Sequence, residues 1–188
     1  ARLLQDANVQ KHEKVLEIGA GSGFMAALLA HRAQRVVTVE IDAPVAVVWQ
    51  VLTDLDRYPE WNPFTVRIDS TFKLGDPVHL HIPTPGKTPA DGKLMVYTEY
   101  LVAFEPEQLL SWEKRPTEDD KNAARRDQYL EKISEEKTRY FNTDIFLGVN
   151  QDSIMKLSGA WVQMSFDNVA RALKKQAEKV YAEQRAQA

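Results

Sequence analysis

Residues 37–64 read VTVEIDAPVAVVWQVLTDLDRYPEWNPF: a β-branched strand, then a helix, then a broken, aromatic-rich turn. Alternating and β-branched residues suit Val37–Ile41 to a pleated strand. Asp42-Ala43-Pro44 fits a helix start, with a capping acid and a proline near the first helical position. Val47, Val48, Val51, Leu52 and Leu55 then recur at helical spacing, so the helix is amphipathic. Tyr58-Pro59 and Asn62-Pro63 end it, because a residue before proline is pushed out of the helical region.

Downstream, strands follow one another with turns at Gly75-Asp76-Pro77, residues 83–92 and Glu105-Pro106-Glu107. Val78, Leu80 and Ile82 share one face and His79 and His81 the other. In the strand from about Val96 to Phe104, the apolar set is Val96, Tyr100, Val102 and Phe104. Thr117 to Asp127 is polar and reads as a loop. Tyr129–Ile133 and Thr138–Leu147 read as a last hairpin. From about Asp152, Ile154, Leu157, Trp161, Met164, Val169, Leu173, Ala177 and Val180 recur mostly three or four apart, which predicts one long C-terminal helix.

Upstream the pattern changes. VLEIGAGSGFMAALLA at residues 15–30 is an apolar strand, a GxGxG turn and an Ala/Leu-rich helix, and RVVTVEID at 35–42 is a second strand ending in an acid. Glycines at 19, 21 and 23 let backbone approach a ligand where side chains would clash, and Glu40 stands where an acid can accept ribose hydroxyls.

These two stretches resemble the start of the protein-L-isoaspartate O-methyltransferases, which bind S-adenosylmethionine. The resemblance stops near Asp42, before the helices and strands that complete such a cofactor site, so Gly19, Gly21, Gly23 and Glu40 are read as vestigial. From residue 36 onward the chain resembles the SRPBCC superfamily, the helix-grip fold of START domains and polyketide cyclase/dehydrase-like proteins. The residues that carry it are 37–64, FEPEQLLSW at 104–112, TRYFNTDIFLG at 138–148 and the terminal helix. The expected fold class is α+β: a curved antiparallel sheet wrapped around the C-terminal helix, with a strand-helix unit at 1–35 sharing strand 36–41 with the domain at 36–188. In that arrangement residues 15–19 would add a parallel strand beside 36–41, with 24–33 as the crossover. Natural recombination and engineering both account for such a chimera.

The resemblance implies a cavity between sheet and helix for a small hydrophobic or aromatic molecule. Alternation together with the family pattern lines it with Val96, Tyr100, Trp112, Tyr129, Tyr140, Asn142 and Phe146, faced by Met155, with Trp61 and Phe64 near the mouth. Asp144 and Glu131 are the catalytic candidates, since a carboxylate among apolar side chains can have its pKa raised into the working range. A cyclase/dehydrase-like enzyme is therefore the alternative to a binding protein, beside a hybrid with no retained activity and a remnant methyltransferase.

Composition narrows the classes further. With 188 residues, 44% of them hydrophobic, one compact unit can bury a sizeable core. A net charge of -3 with scattered cations gives no footprint for nucleic acid. No apolar run reaches the roughly 20 residues a membrane span needs, so a soluble, cytoplasmic protein is expected. The absence of cysteine excludes thiolate chemistry. His79 and His81 have a spacing that metals can use, but they oppose the apolar face, and no metal site is expected. Oligomeric state is not encoded in any of these patterns.

No cofactor is expected. One glycine turn and one carboxylate would hold only part of S-adenosylmethionine. Calorimetry with high-micromolar S-adenosylmethionine should give no binding heat; a low-micromolar Kd weakened by Gly21→Val or Glu40→Ala would revive the methyltransferase reading.

Overall fold

The computed structural model describes residues 37–84 and 93–187. In chain order these form β1 (Val37–Ile41), α1 (Val45–Thr53), a 3₁₀ turn (Leu55–Arg57), α2 (Tyr58–Trp61), β2 (Arg67–Ser70), β3 (Pro77–Pro83), β4 (Leu94–Glu105), β5 (Leu109–Lys114), β6 (Asn122–Ser134), β7 (Lys137–Gly148) and α3 (Gln151–Gln187). The strands make one antiparallel sheet in the order β1-β7-β6-β5-β4-β3-β2. Together with α3 this is the expected α+β helix-grip architecture. The parallel strand expected at 15–19 and its crossover helix lie outside the described residues.

Register assigns the faces, because residues directly opposite in an antiparallel pair point the same way. Across the inner face run Val39 opposite Tyr140, Tyr140 opposite Leu130, and Leu110 opposite Gln128. Further along come Trp112 opposite Arg126 and Leu101 opposite Trp112, then Val78 opposite Glu99 and Ile68 opposite Leu80. Ile41, Tyr140, Leu130, Leu110, Leu101, Val78 and Leu80 are buried there.

The C-terminal half of α3 closes the core. Phe166, Val169, Ala170, Leu173, Ala177 and Val180 are buried on one helix stripe, against β1, β7 and α1. Polar ties hold this seam. Thr138 Oγ1 donates to the carbonyl of Ala43 at 2.8 Å, Lys174 Nζ to that of Glu40 at 2.8 Å, and the Asp42 amide to Glu178 at 2.9 Å.

The N-terminal half of α3 differs from the sequence expectation. Leu157 is 85% exposed and Met164 is exposed, although both fall in the apolar series read from the sequence. Counting 100° per residue from Leu173, they lie on the far side of the helix. Met155, Val162 and Phe166 share the stripe of Leu173, and Phe166 lies against Arg126 of the sheet.

Two other departures shape the inner face. Residues 122–127, read as loop, form the first half of β6, paired on both sides. In β4 the register with β5 shifts between Leu101 and Ala103, a β-bulge. It inverts the alternation, so Tyr97, Glu99 and Leu101 face inward on one side of the bulge and Phe104 on the other. Gly148 ends β7 at φ +86°, where a Cβ would stand 2.5 Å from the Lys121 carbonyl, so the chain can turn into α3 only with glycine there.

Leu173→Ala should cost about 2–5 kcal/mol in denaturant unfolding, the usual range for truncating a sealed leucine. Leu157→Ala should change stability by less than about 0.5 kcal/mol. Equal losses at the two positions would contradict the placement of α3.

Candidate functional site

Toward the ends of β4, β6 and β7 farther from Ile41, the inner face changes from apolar to polar. Glu99, Trp112, Arg126, Gln128, Tyr140, Asn142 and Asp144 share it by register. The base of the cluster is sealed: Trp112, Tyr140, Arg126, Gln128 and Asn142 are buried, whereas Glu99, Asp144 and Phe146 are half-buried and Met155 above them is 44% exposed. Exposure along this face therefore rises from Tyr140 and Asn142 to Asp144 and Phe146 on β7.

Its hydrogen bonds begin at Tyr140. The hydroxyl donates to Gln128 Oε1 at 3.1 Å and accepts from Asn142 Nδ2 at 3.0 Å. Arg126 projects beneath α3, its guanidinium carbon 4.4 Å from the centroid of the Phe166 ring and 5.8 Å from that of Trp112. That is cation–π distance on two sides. Phe166 is in turn edge-on to Phe64 at 5.5 Å, and Phe64 to Trp161 at 5.3 Å.

Two carboxyls titrate far from their ordinary range. Burial, reinforced by the charge of Asp144, raises Glu99 to about 7 against the opposing pull of Arg126 and Lys114. Burial likewise raises Asp144 to about 7, with Arg126 lowering it and Asp127 raising it. A pair poised near neutrality can give or take a proton at physiological pH. Burial also pushes the hydroxyls of Tyr58 and Tyr140 upward, so both stay protonated.

The residues expected from sequence divide into three groups. Trp112, Tyr140, Asn142, Asp144 and Phe146 come together on the inner face, with Met155 above. Trp61 and Phe64 stand at the α2 side; Trp61 lies beside a groove of about 490 Å³ with Pro59, Asn62, Val66 and Leu94, and packs on Tyr58 at 4.9 Å. Val96, Tyr100, Tyr129 and Glu131 are on the outer face instead. The β4 bulge accounts for Val96 and Tyr100, which pair with His81 and with Glu113. Tyr129 alternates with Gln128 and stacks on Phe141 at 4.6 Å, and Glu131 binds Arg139 at 2.8 Å in solvent.

Glu99, Arg126 and Gln128 were not expected. Arg126 belongs to the stretch at 117–127 whose polarity imitates a loop, Gln128 falls between that stretch and the strand read from Tyr129, and the parity of Glu99 is visible only once the bulge is known. On the outer face His79 contacts Thr98 at 3.0 Å and His81 contacts Asp69 at 2.9 Å. Among the described residues no cluster of three or more His, Asp or Glu side chains could hold a metal. Glu40 is on the outer face, 3.7 Å from Lys137 and 3.9 Å from Arg139. Gly19, Gly21 and Gly23 lie outside the described residues. No helix among the described residues is long and apolar enough to cross a membrane.

Comparison with known proteins agrees with both halves of the sequence reading. Residues 32–178 match the family described as polyketide cyclase / dehydrase and lipid transport, and residues 1–56 match ribosomal RNA adenine dimethylase, so 32–56 are common to both. Over 40 residues the chain is 52% identical to protein-L-isoaspartate O-methyltransferase 1 of Syntrophobacter fumaroxidans, covering 21% of this chain and 19% of that protein. The chain thus spans about a fifth of the length of the curated relatives it matches. Among solved structures, the Zhui aromatase/cyclase of Streptomyces sp. R1128 superposes with a TM-score of 0.60 at 18% identity over 76% of this chain and 92% of that one. A START superfamily protein of Mycobacterium smegmatis gives 0.53 at 16% identity over 77% and 96%. The chain belongs to the polyketide cyclase / dehydrase and lipid transport family, joined to an N-terminal methyltransferase-like segment.

Both raised carboxyls bind protons more tightly in the folded than in the unfolded chain, so they cost stability as pH climbs from the ordinary carboxyl range through about 7. Asp144→Asn should therefore leave the Tm nearly unchanged near pH 3, below the unfolded carboxyl range, raise it somewhat at pH 5 and raise it most at pH 8.5. A lower Tm at pH 8.5 would mean that the charged form is favoured.

Proposed function

We propose that this protein binds a small, predominantly apolar molecule in the recess between the N-terminal half of α3 and the open end of the sheet. The observation that supports this best is the gradient of exposure along one continuous face. Leu173, Tyr140 and Ile41 are sealed at one end, while at the other Phe146 is half-buried and Tyr97 and Met155 are exposed, although the strand residues share the inner face by register and Met155 falls on the helix stripe of Leu173. An apolar surface with a few fixed polar groups is the ordinary makeup of a small-ligand site. Family membership supports the same reading, since its description includes both cyclisation and lipid transport.

A second reading, acid–base catalysis of cyclase or dehydrase type on the bound molecule, is favoured by Glu99 and Asp144. Two carboxyls near neutrality beside one guanidinium can hold one proton between them, so one can act as acid while the other acts as base. Methyl transfer has no comparable support, because the matched segment is a fifth of the relatives' length.

Nile red, a neutral dye, should bind at one site per chain with a blue-shifted emission and be displaced by neutral aromatic or acyl compounds. Val162→Trp, which projects a larger ring from α3 toward the sheet, should weaken dye binding about tenfold or more without lowering Tm. If the variant loses stability by the roughly 1–3 kcal/mol of an overpacked core and wild type binds no dye, the interior is solid and the proposal fails.

A further inference from the structure

Three buried hydrogen-bond donors on the inner face of β5 and β6 have no acceptor among the described residues: Arg126 Nε, Trp112 Nε1 and Gln128 Nε2. The Arg126 side chain also interacts with the Tyr140 hydroxyl, which leaves its Nε as the unpartnered N–H. The three donors are neighbours: Trp112 and Arg126 are opposite each other on β5 and β6, and Gln128 is two residues along β6 on the same face. The Gln128 amide is oriented by Tyr140, whose hydroxyl is bonded to its Oε1, so its NH₂ group is left over. Arg126 is 5% exposed and makes no ion pair within 4 Å among the described residues; its cross-strand neighbour Asp144 is not bonded to it.

Buried donors are nearly always satisfied, and an indole or guanidinium N–H can only donate. Three such groups in one place, one of them cationic, are complementary to oxygen that only accepts. We infer that the recess anchors its ligand through an anionic oxygen, a carboxylate or an enolate, received by Arg126, Trp112 and Gln128. This rests on the binding function proposed above and adds the ligand's chemical class: an apolar body carrying an acidic oxygen at the end that enters first. Phe166 and the Trp112 ring hold the guanidinium in position for that oxygen from two sides. Glu99 and Asp144 would oppose an anion if ionised, but burial raises both to about 7, so at pH 6 both are largely neutral. Lys114 is engaged by Asp120.

The test compares 2-naphthoate with 2-naphthylmethanol at pH 6, each displacing Nile red. Wild type should bind 2-naphthoate about tenfold tighter or more, the increment expected of a charge-assisted bond in a buried site. Arg126→Met, which keeps the length and apolar stem, should reduce 2-naphthoate to the affinity of the alcohol while the alcohol changes less than about twofold. Trp112→Phe keeps the ring and removes one donor; combined with Gln128→Leu it should lower the preference by several fold, and it serves if Arg126→Met does not fold. Equal binding of the two compounds by wild type, or a preference that survives these variants, would overturn the anion site and leave the binding recess standing. Failure of dye, alcohol and naphthoate alike to bind would overturn both.

Discussion

The seam between α3 and the β1–α1 corner is the contact on which the remaining architecture depends. Ala170, Leu173 and Ala177 are small enough or shaped closely enough to bring the helix onto Ile41, Val48 and Tyr140 with no solvent between them. Thr138, Lys174 and Glu178 satisfy the backbone groups that the β1–α1 turn would otherwise leave unpaired. A 37-residue helix fixed in this way over its C-terminal half needs no packing along its first turns. The side chains of those first turns are accordingly exposed or half-buried, and the recess proposed above would lie beneath them because the grip is at one end.

That arrangement allows an unusual concentration of polar groups beneath a helix. Each buried donor without an acceptor costs about 1–3 kcal/mol, a sum the sealed end must offset for the ligand-free protein to stay folded. Half-burial of Glu99 and Asp144 adds a further penalty whenever they ionise. The large apolar cluster from Val39 to Val180 is therefore a condition for the polar cluster as well as a source of stability.

The sequence made the sheet-and-helix plan legible because its informative residues are local: Asp42-Ala43-Pro44, the valines of α1, the paired prolines after Tyr58 and the apolar stripe from Val169 to Val180 all report on their own segment. The inner-face residues of β7 were legible for the same reason, since Tyr140, Asn142, Asp144 and Phe146 keep strict alternation. The recess floor was not. Arg126 and Gln128 lie in a strand whose inward positions are polar, and periodicity cannot distinguish a polar-lined strand from a loop. Val96 and Tyr100 were misassigned because the extra residue at Val102 reverses parity, and only the partner strand reveals it. Leu157 and Met164 fit a helical apolar series yet point outward, because several stripes can be drawn through a helix carrying this many apolar residues.

The bulge in β4 also decides which changes of length the strand can absorb. It separates two stretches, one committed to the shared core through Phe104 and the other facing inward through Tyr97, Glu99 and Leu101. Leu101 pairs with Trp112 and Ala103 with Ser111, so Val102 is the residue left over, and its loss would give a regular ladder with the same side chains facing inward. Loss of Tyr100 with the bulge kept would instead reverse the parity of what precedes it and turn Thr98 inward in place of Glu99. Two deletions only two positions apart would therefore differ in kind, one silent for the lining and the other exchanging an acid for a neutral hydroxyl.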